Sequence, residues 1–455
     1  MAKAKSLNIP LHAAEIAALC SGKYDGADFS ALDFSTDTRT LIEGTLFIAL
    51  HGPNFKGEDF LAQAKEKGAV AALVQKKTKI DLPQIVVKDT HAALLALARD
   101  RRARSRAQFF AITGTNGKTS TKEMLQRLLQ SQGQTLATIG NLNNDIGVPL
   151  TLLRLRDEDR FAVIEMGANH RGEIAALTDL VRPDVALITN VSAAHLAGFG
   201  SLEGVIAAKS EIYSHSNGAI VINRDIAPAH LWQETFRNRA QKTFSLDSEA
   251  DVSAQQIAAD GSAFTLHYAG ADYPIHWKLV GRHNVANALA ACAAATFADV
   301  SGGQMQQTLG GLALYQSRLT AHHVGVHTVY DDTYNANPAS FKAAIDVIAM
   351  APRSVVIAGA MGELGEAADD LHHEVAAYAA EKDIDGFWVV GDGSAQSYLS
   401  AFPSARHFAD VTTAGAALSQ LLQDSTPTTV LVKGSRSAGM EGVLAAAGLK
   451  TMLKG

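Results

Sequence analysis

The chain reads as an α/β protein of three domains built around parallel sheets. Two observations predict this class. Short, wholly apolar runs of strand length alternate with stretches of helical periodicity, and many of these runs break into glycine within a few residues. Strands that are apolar throughout and joined through helices belong to a parallel sheet covered on both faces. The length of 455 residues accommodates about three domains of ~150 residues.

The first region, residues 1–87, alternates apolar runs at 46–50 and 69–74 with turn clusters. A basic helical stretch follows over 92–106, with Arg99, Arg101, Arg102 and Arg104. Its charges could meet a nucleic acid or simply solvate a connecting helix, and the overall charge favours the helix. The central region, 88–315, opens with the run 109–113, which breaks into glycines. The next stretch places Met124, Leu125, Leu128 and Leu129 on one helical face. Further buried strands are expected at 161–164, 185–188 and 219–222. The last region, 316–455, repeats the grammar: runs at 355–358, 387–390 and 429–432 each meet a glycine soon after. Strand, glycine turn, helix is the rhythm of nucleotide-binding folds.

Composition excludes several classes. Acidic residues number 46 against 40 basic ones, a net charge of -6, whereas phosphate backbones call for basic surfaces. No nucleic-acid partner is expected. Cys20 and Cys292 have no C-x-x-C spacing, so two free core thiols are expected and neither a disulfide framework nor a zinc ribbon. Lys3 and Lys5 are followed by His12 and Glu15, which interrupt any apolar stretch, so no signal peptide is expected. The most apolar run, 286–298, is Ala-rich, contains Asn287 and is too short to span a bilayer; a buried helix is expected. These features suit a cytoplasmic protein without membrane insertion.

The sharpest local signal is Gly114-Thr-Asn-Gly-Lys-Thr119, after a strand and before a helix. Glycines let backbone N–H groups wrap a phosphate, and the helix N-terminus adds donors and a favourable dipole. Lys118 can reach terminal phosphates and the Thr119 hydroxyl can ligate Mg²⁺. The spacing departs from G-x-x-x-x-G-K-[ST], because Ile112 stands where the first glycine would be. An ordinary strand-to-helix turn is the plain alternative; the flanking strand and helix favour the nucleotide site.

Glu165 ends an apolar strand, where a carboxylate needs a partner or a metal. A salt bridge across the sheet edge would satisfy it; so would Mg²⁺, which prefers oxygen ligands. His195 sits in a loop and Lys209 in a helical stretch, and by themselves both read as surface residues. A cationic lysine repels a metal. Only conversion of its amine by CO₂ to a carbamate would make it an oxygen ligand.

Taken together these motifs resemble the Mur ligase family over nearly the whole chain. The segments are Ser35-Thr-Asp-Thr-Arg39, Ile112-Thr-Gly-Thr-Asn-Gly-Lys-Thr-Ser120, Gly140-Asn-Leu-Asn-Asn-Asp-Ile-Gly-Val-Pro149, Glu165-Met-Gly-Ala168, Ile188-Thr-Asn-Val191, Gly281-Arg-His-Asn-Val-Ala-Asn287, Asp331-Asp-Thr-Tyr-Asn-Ala-Asn-Pro338, Met361-Gly-Glu-Leu-Gly365 and Leu431-Val-Lys-Gly-Ser-Arg436. The resemblance implies a small N-terminal α/β UDP-binding domain, a central P-loop ATPase-type parallel sheet and a C-terminal Rossmann-like domain for an incoming dipeptide. It implies an ATP-dependent ligase that joins D-alanyl-D-alanine to UDP-N-acetylmuramoyl-tripeptide through an acyl phosphate, for peptidoglycan synthesis. It further implies ATP contacts at Gly114, Thr115, Asn116, Gly117, Lys118, Thr119, Ser120, Asn287, Arg318 and Asp332. Thr119, Glu165, His195 and Lys209, the last as a carbamate, would hold Mg²⁺, with two ions expected. Lys118, Lys209, Arg318 and His195 would serve the chemistry. Ser35, Asp37, Arg39, Asn143 and Asn144 would bind the UDP-muramoyl substrate. Tyr334, Asn335, Asn337, Lys433, Ser435 and Arg436 would surround the reacting ends. A monomer is expected.

Two departures from the family pattern stand out. Ala360 replaces the usual Asp before Met-Gly-Glu-Leu-Gly, and Lys56 and Glu58 replace the usual Asp and His around Gly57. Two rival readings fit the sequence less well. Folylpolyglutamate synthase also resembles the central region, but the Asn-rich segment 140–149 and the extra N-terminal region argue against it. A GTPase-like switch would explain Thr78-Lys-Ile-Asp81, but that segment precedes the phosphate loop, the reverse of the usual order.

Overall fold

Three separate sheets carry the fold, and they sit in the order the apolar runs suggest. The computed structural model describes residues 10–24, 26–194, 196–312 and 319–449. The first sheet is four parallel strands in sequence order: β1 (Asp33–Ser35), β2 (Thr45–Ile48), β3 (Ala69–Val74) and β4 (Gln84–Val86).

Helix α1 (Thr90–Arg104) leads to the central domain. Asp89 caps it, its carboxylate accepting from the N–H groups of His91 and Ala92 at 2.8 and 3.2 Å. Its arginines are structural. Arg101 Nε donates to the Leu155 carbonyl at 2.7 Å, and Arg102 Nε to that of Val181 at 2.6 Å. Arg102 also lies 3.8 Å over the Phe109 ring. These groups satisfy chain-end carbonyls, so the stretch is a connecting helix with few donors left for a polyanion.

The central sheet contains β5 (Gln108–Thr113), β6 (Thr135–Ala137), β7 (Phe161–Glu165), β8 (Val185–Ile188), β9 (Ala219–Asn223), β10 (Gln241–Ser245), β11 (Val252–Gln255), β12 (Ala263–Tyr268) and β13 (Ala271–His276). The order is β6-β7-β5-β8-β9-β10-β11-β12-β13. Pairing is parallel through β11, and both faces are buried. Phe109 and Ala111 join one core cluster, Phe110 and Ile112 the other. Helices α2 (Lys118–Gln130), α3 (Glu173–Val181), α4 (Leu202–Ser214) and α5 (Arg282–Ala295) cover it. Helix α2 buries Met124, Leu125, Leu128 and Leu129, and α5 is the buried Ala-rich helix the composition suggests.

The far edge differs from a purely parallel expectation: β11–β12 and β12–β13 pair antiparallel. For β12–β13 the physical reason is a two-residue turn with positive φ at Ala269 and Gly270, +53° and +75°, the twist a tight hairpin requires; β11 and β12 are joined by the short loop 256–262, too short for the crossover that parallel pairing needs.

The third sheet holds β14 (Thr320–Val324), β15 (His327–Asp332), β16 (Ser354–Ala358), β17 (Gly386–Val390), β18 (Arg406–Phe408) and β19 (Thr429–Lys433). Its order is β14-β15-β19-β16-β17-β18, parallel except for the β14–β15 hairpin. Helices α6 (Pro338–Ile348) and α7 (Ala368–Glu381) pack on it. Among the described residues, no helix is long and apolar enough to cross a membrane.

Candidate active site

The carboxyl ends of β5, β7 and β8 open into a cleft of about 620 Å³, closed on its other side by the C-terminal domain. This is the edge where ligands of parallel sheets bind. The loop 114–119 forms its floor, and two glycines shape it. Gly114 has φ +148°, and a Cβ there would lie 2.0 Å from Thr189 Oγ1. Gly117 has φ +76°, caps α2, and its Cβ would lie 2.0 Å from Asn287 Oδ1. Only glycine fits both positions.

The end of β8 holds the loop from outside. Thr115 N–H donates to the Asn190 carbonyl at 3.0 Å. Asn116 N–H donates to Asn190 Oδ1 at 2.9 Å, and the Asn116 carbonyl accepts from Thr189 Oγ1 and Asn190 Nδ2 at 2.6 and 3.0 Å. Lys118 Nζ curls back to the carbonyls of Gly114 and Thr115 at 2.8 and 3.1 Å, above the helix N-terminus.

Glu165 is 2% exposed and fully engaged. Its Oε2 accepts from Thr119 Oγ1 at 2.8 Å, its Oε1 from Asn143 Nδ2 at 2.8 Å, and its own N–H donates to Thr138 Oγ1 at 3.0 Å. Two of the four expected metal ligands, Thr119 and Glu165, therefore stand together at the end of the phosphate loop. No salt bridge satisfies Glu165 among the described residues. Clusters of three or more His, Cys, Asp or Glu that could hold a metal are likewise absent among them.

Lys209 on α4 is buried, its Nζ 5.3 Å from the Phe199 ring centroid. Burial, with Lys118 adding to it, pushes its amine down to about 7; Glu173 and Glu211 oppose the shift. Glu211, two residues on, accepts from the N–H groups of Gly172 and Ala175 and so fixes the start of α3.

The C-terminal domain supplies the opposite wall. Lys433 is 2% exposed; its Nζ donates to Asp332 Oδ2 at 2.5 Å and to the Asn335 carbonyl at 3.0 Å. Asp332, Tyr334, Asn335, Asn337 and Lys433 all line the cleft. His283, at the start of α5, faces the same space; burial lowers its imidazole pKa, with Lys433 reinforcing and Asp332 opposing.

The expected site residues thus fall into groups. Thr115 through Ser120, Glu165, Asn143, Asn144, Asn287, Asp332, Tyr334, Asn335, Asn337 and Lys433 share the cleft. Ser35, Asp37 and Arg39 stand elsewhere, Ser35 as the last residue of β1 and the other two just after it, with Asp37 and Arg39 paired at 2.7 Å. Ser435 donates to the Ala360 carbonyl at 2.7 Å, and Arg436 pairs with Glu441 at 3.1 Å; neither lines the cleft. His195 and Arg318 lie outside the described residues. Sequence reasoning assigned no role to Thr189, Asn190, Ser192, His283 or Asn284, four of them within quoted motifs, which also line the cleft. The signal was available: the first three follow an apolar strand end, the place where parallel sheets present loops to ligands.

Comparison with known proteins gives the frame for this geometry. Three family models match in succession: "Mur ligase family, catalytic domain" over residues 34–116, "Mur ligase middle domain" over 112–295, and "Mur ligase, glutamate ligase domain" over 318–436. The chain is 42% identical over 435 residues to the UDP-N-acetylmuramoyl-tripeptide–D-alanyl-D-alanine ligase of Escherichia coli, covering 94% of this chain and 96% of that one. The crystal structure of MurF from Acinetobacter baumannii superposes with a TM-score of 0.90 at 34% identity, covering 97% of this chain and 99% of that one. MurF from Thermotoga maritima in complex with ADP gives 0.80 at 26% identity, with coverage of 91% and 96%. On sequence and on fold, the chain belongs to the Mur ligase family.

Proposed function

We infer that the protein is an ATP-dependent ligase that joins D-alanyl-D-alanine to UDP-N-acetylmuramoyl-tripeptide, forming the pentapeptide precursor of peptidoglycan. One observation carries this most directly: the phosphate loop and the C-terminal domain's Asn335, Asn337 and Lys433 line a single cleft. Amide formation from a carboxylate needs that arrangement. A carboxylate has no leaving group; transfer of the ATP γ-phosphoryl group to it gives an acyl phosphate, which loses phosphate when the dipeptide amine attacks. No side-chain nucleophile is required.

The chain's own groups bind and orient. The N–H groups of Thr115 and Asn116 are committed to Asn190, so those of Gly117 and the first turn of α2 would meet the phosphates, and Lys118 swings from its carbonyl contacts to the terminal phosphates. Asn287 approaches the nucleotide from α5 and Asp332 completes its site from the C-terminal domain; Arg318 is assigned to the same site by the family resemblance alone. The donor set at Thr119 and Glu165 is all oxygen and fits Mg²⁺, which takes one or two carboxylates and completes its shell with phosphates and water. When bound, Mg²⁺ offsets charge on the transferring phosphoryl group. Lys209, its amine pushed down to about 7 by burial, is about half neutral at pH 7 and so able to add CO₂; as a carbamate it would join His195 at a second ion. Ser35, Asp37, Arg39, Asn143 and Asn144 hold the UDP-muramoyl end, and Tyr334, Asn335, Asn337, Lys433, Ser435 and Arg436 hold the reacting ends. The division 1–87, 88–315 and 316–455 gives the UDP end, ATP and the dipeptide each a main domain, with further contacts to the first two from the neighbouring domain. We place the protein in the cytoplasm as a monomer; a dimer in sedimentation at micromolar concentration would overturn the latter.

The decisive test supplies ATP, UDP-N-acetylmuramoyl-tripeptide and D-alanyl-D-alanine, omitting each in turn. Pentapeptide and phosphate should form only with all three. Phosphate release without the peptide substrates would favour a nucleotide switch, and turnover of a folate with glutamate would favour the synthase rival.

A further inference from the structure

The phosphate loop and the C-terminal domain are joined by a reciprocal pair of amides. Asn337 Nδ2 donates to Asn116 Oδ1 at 2.7 Å, and Asn116 Nδ2 donates to Asn337 Oδ1 at 3.2 Å, across 221 positions of sequence. Each end is anchored in its own domain. The Asn116 main chain is tied to Thr189 and Asn190, as described above. Asn337 caps α6, its Oδ1 accepting from Ser340 N–H at 2.9 Å and its own N–H donating to Ser340 Oγ at 3.0 Å. Behind it, Lys433 holds both Asp332 and the Asn335 carbonyl, so the segment 332–337 moves with its sheet.

We propose that the Asn116–Asn337 amide pair seats the C-terminal domain on the phosphate loop, which makes Asn337 a positioning residue for acyl transfer. A two-point pair fixes both distance and rotation, whereas a single bond fixes only distance. The pair is neutral, so it keeps this geometry beside a polyphosphate without competing for its charge. Amide formation demands that an amine carried by one domain meet an acyl phosphate made on another, and small misplacement there costs rate steeply. The inference rests on the ligase reading for its kinetic part only; the seating itself is a property of the folded chain.

Two variants separate this role from others. Asn337→Ser keeps a neutral hydroxyl oxygen to cap α6 but is too short to reach Asn116 Oδ1. Asn116→Ala breaks the same pair from the other end and leaves the α6 cap untouched, so a folding defect in one variant does not close the question. In the full-length protein we expect each variant to lower kcat about tenfold with KM for ATP changed less than about threefold. The double variant should be no slower than the slower single, because one interaction is being removed twice. Wild-type kcat in both singles, losses that multiply, or a change confined to KM for the dipeptide would each overturn the proposal. An activity-independent arm uses spin labels at positions 234 and 381, with both cysteines changed to alanine. A narrow interdomain distance distribution that broadens in both variants supports the pair even if no pentapeptide is made, in which case the ligase reading alone fails. An unchanged distribution in both variants sinks the pair.

Discussion

At the scale of single residues, the loop 114–119 shows how steric necessity and chemistry meet. Gly117 has positive φ and no room for a methyl group against Asn287, so Gly117→Ala should cost about 1–3 kcal/mol and abolish nucleotide binding. Calorimetric titration with ADP checks this; wild-type affinity in the variant would refute it. Lys118→Ala should leave the fold intact, because the hydrogen bonds to the Gly114 and Thr115 carbonyls stay within the loop itself, yet reduce product formation by about 10²-fold or more. Lys209 carries a prediction in pH. Its amine binds a proton below its ordinary 10.5 when unfolded but only below about 7 when folded. Between those values the unfolded chain holds the extra proton, so stability rises with pH through that window. Denaturant unfolding in CO₂-free buffer should show a steeper rise for wild type than for Lys209→Met. Lys209→Ala should be nearly inactive, with partial recovery on adding short carboxylic acids; full activity without them would exclude the carbamate.

At the scale of elements, the turn 359–365 is held by one buried histidine of α7. His372 Nε2 accepts from Met361 N–H at 2.8 Å and its Nδ1–H donates to the Ala368 carbonyl at 2.5 Å, with the ring 4.7 Å from Tyr398. Burial lowers its pKa and keeps it neutral, as the acceptor role of Nε2 requires. His372→Ala leaves the Met361 N–H unpaired and opens a cavity, so a loss of about 2–4 kcal/mol is expected by denaturant titration. Protonation breaks the same bond, so its contribution is lost as pH falls below the imidazole's ordinary range. The same turn carries Ala360 in place of the family's usual Asp. Its carbonyl accepts from both Ser435 N–H and Ser435 Oγ, contacts that a change of side chain leaves available.

For the whole molecule, ligand binding should be visible as stability: ADP at about 100 times its Kd should add about 2.7 kcal/mol, and Gly117→Ala should lose that increment. Crystals with an ATP analogue that left the loop 114–119 empty would overturn the assignment of the site. Much of this was legible from sequence. Apolar runs of period two or none, bounded by glycine, located the parallel strands because burial on both faces leaves no polar alternation to disguise them. The loop 114–119 was legible because its glycines and lysine are contiguous. Tertiary structure alone decided what lies far apart in the chain: that Asn116 meets Asn337, that Glu165 is shared by Thr119 and Asn143, and that Lys209 is buried enough to lose its proton near neutrality. A helical lysine reads as solvated until the packing of α4 is known. Local pattern encodes which backbone a segment adopts; the environment of each side chain is set by the segments that fold against it.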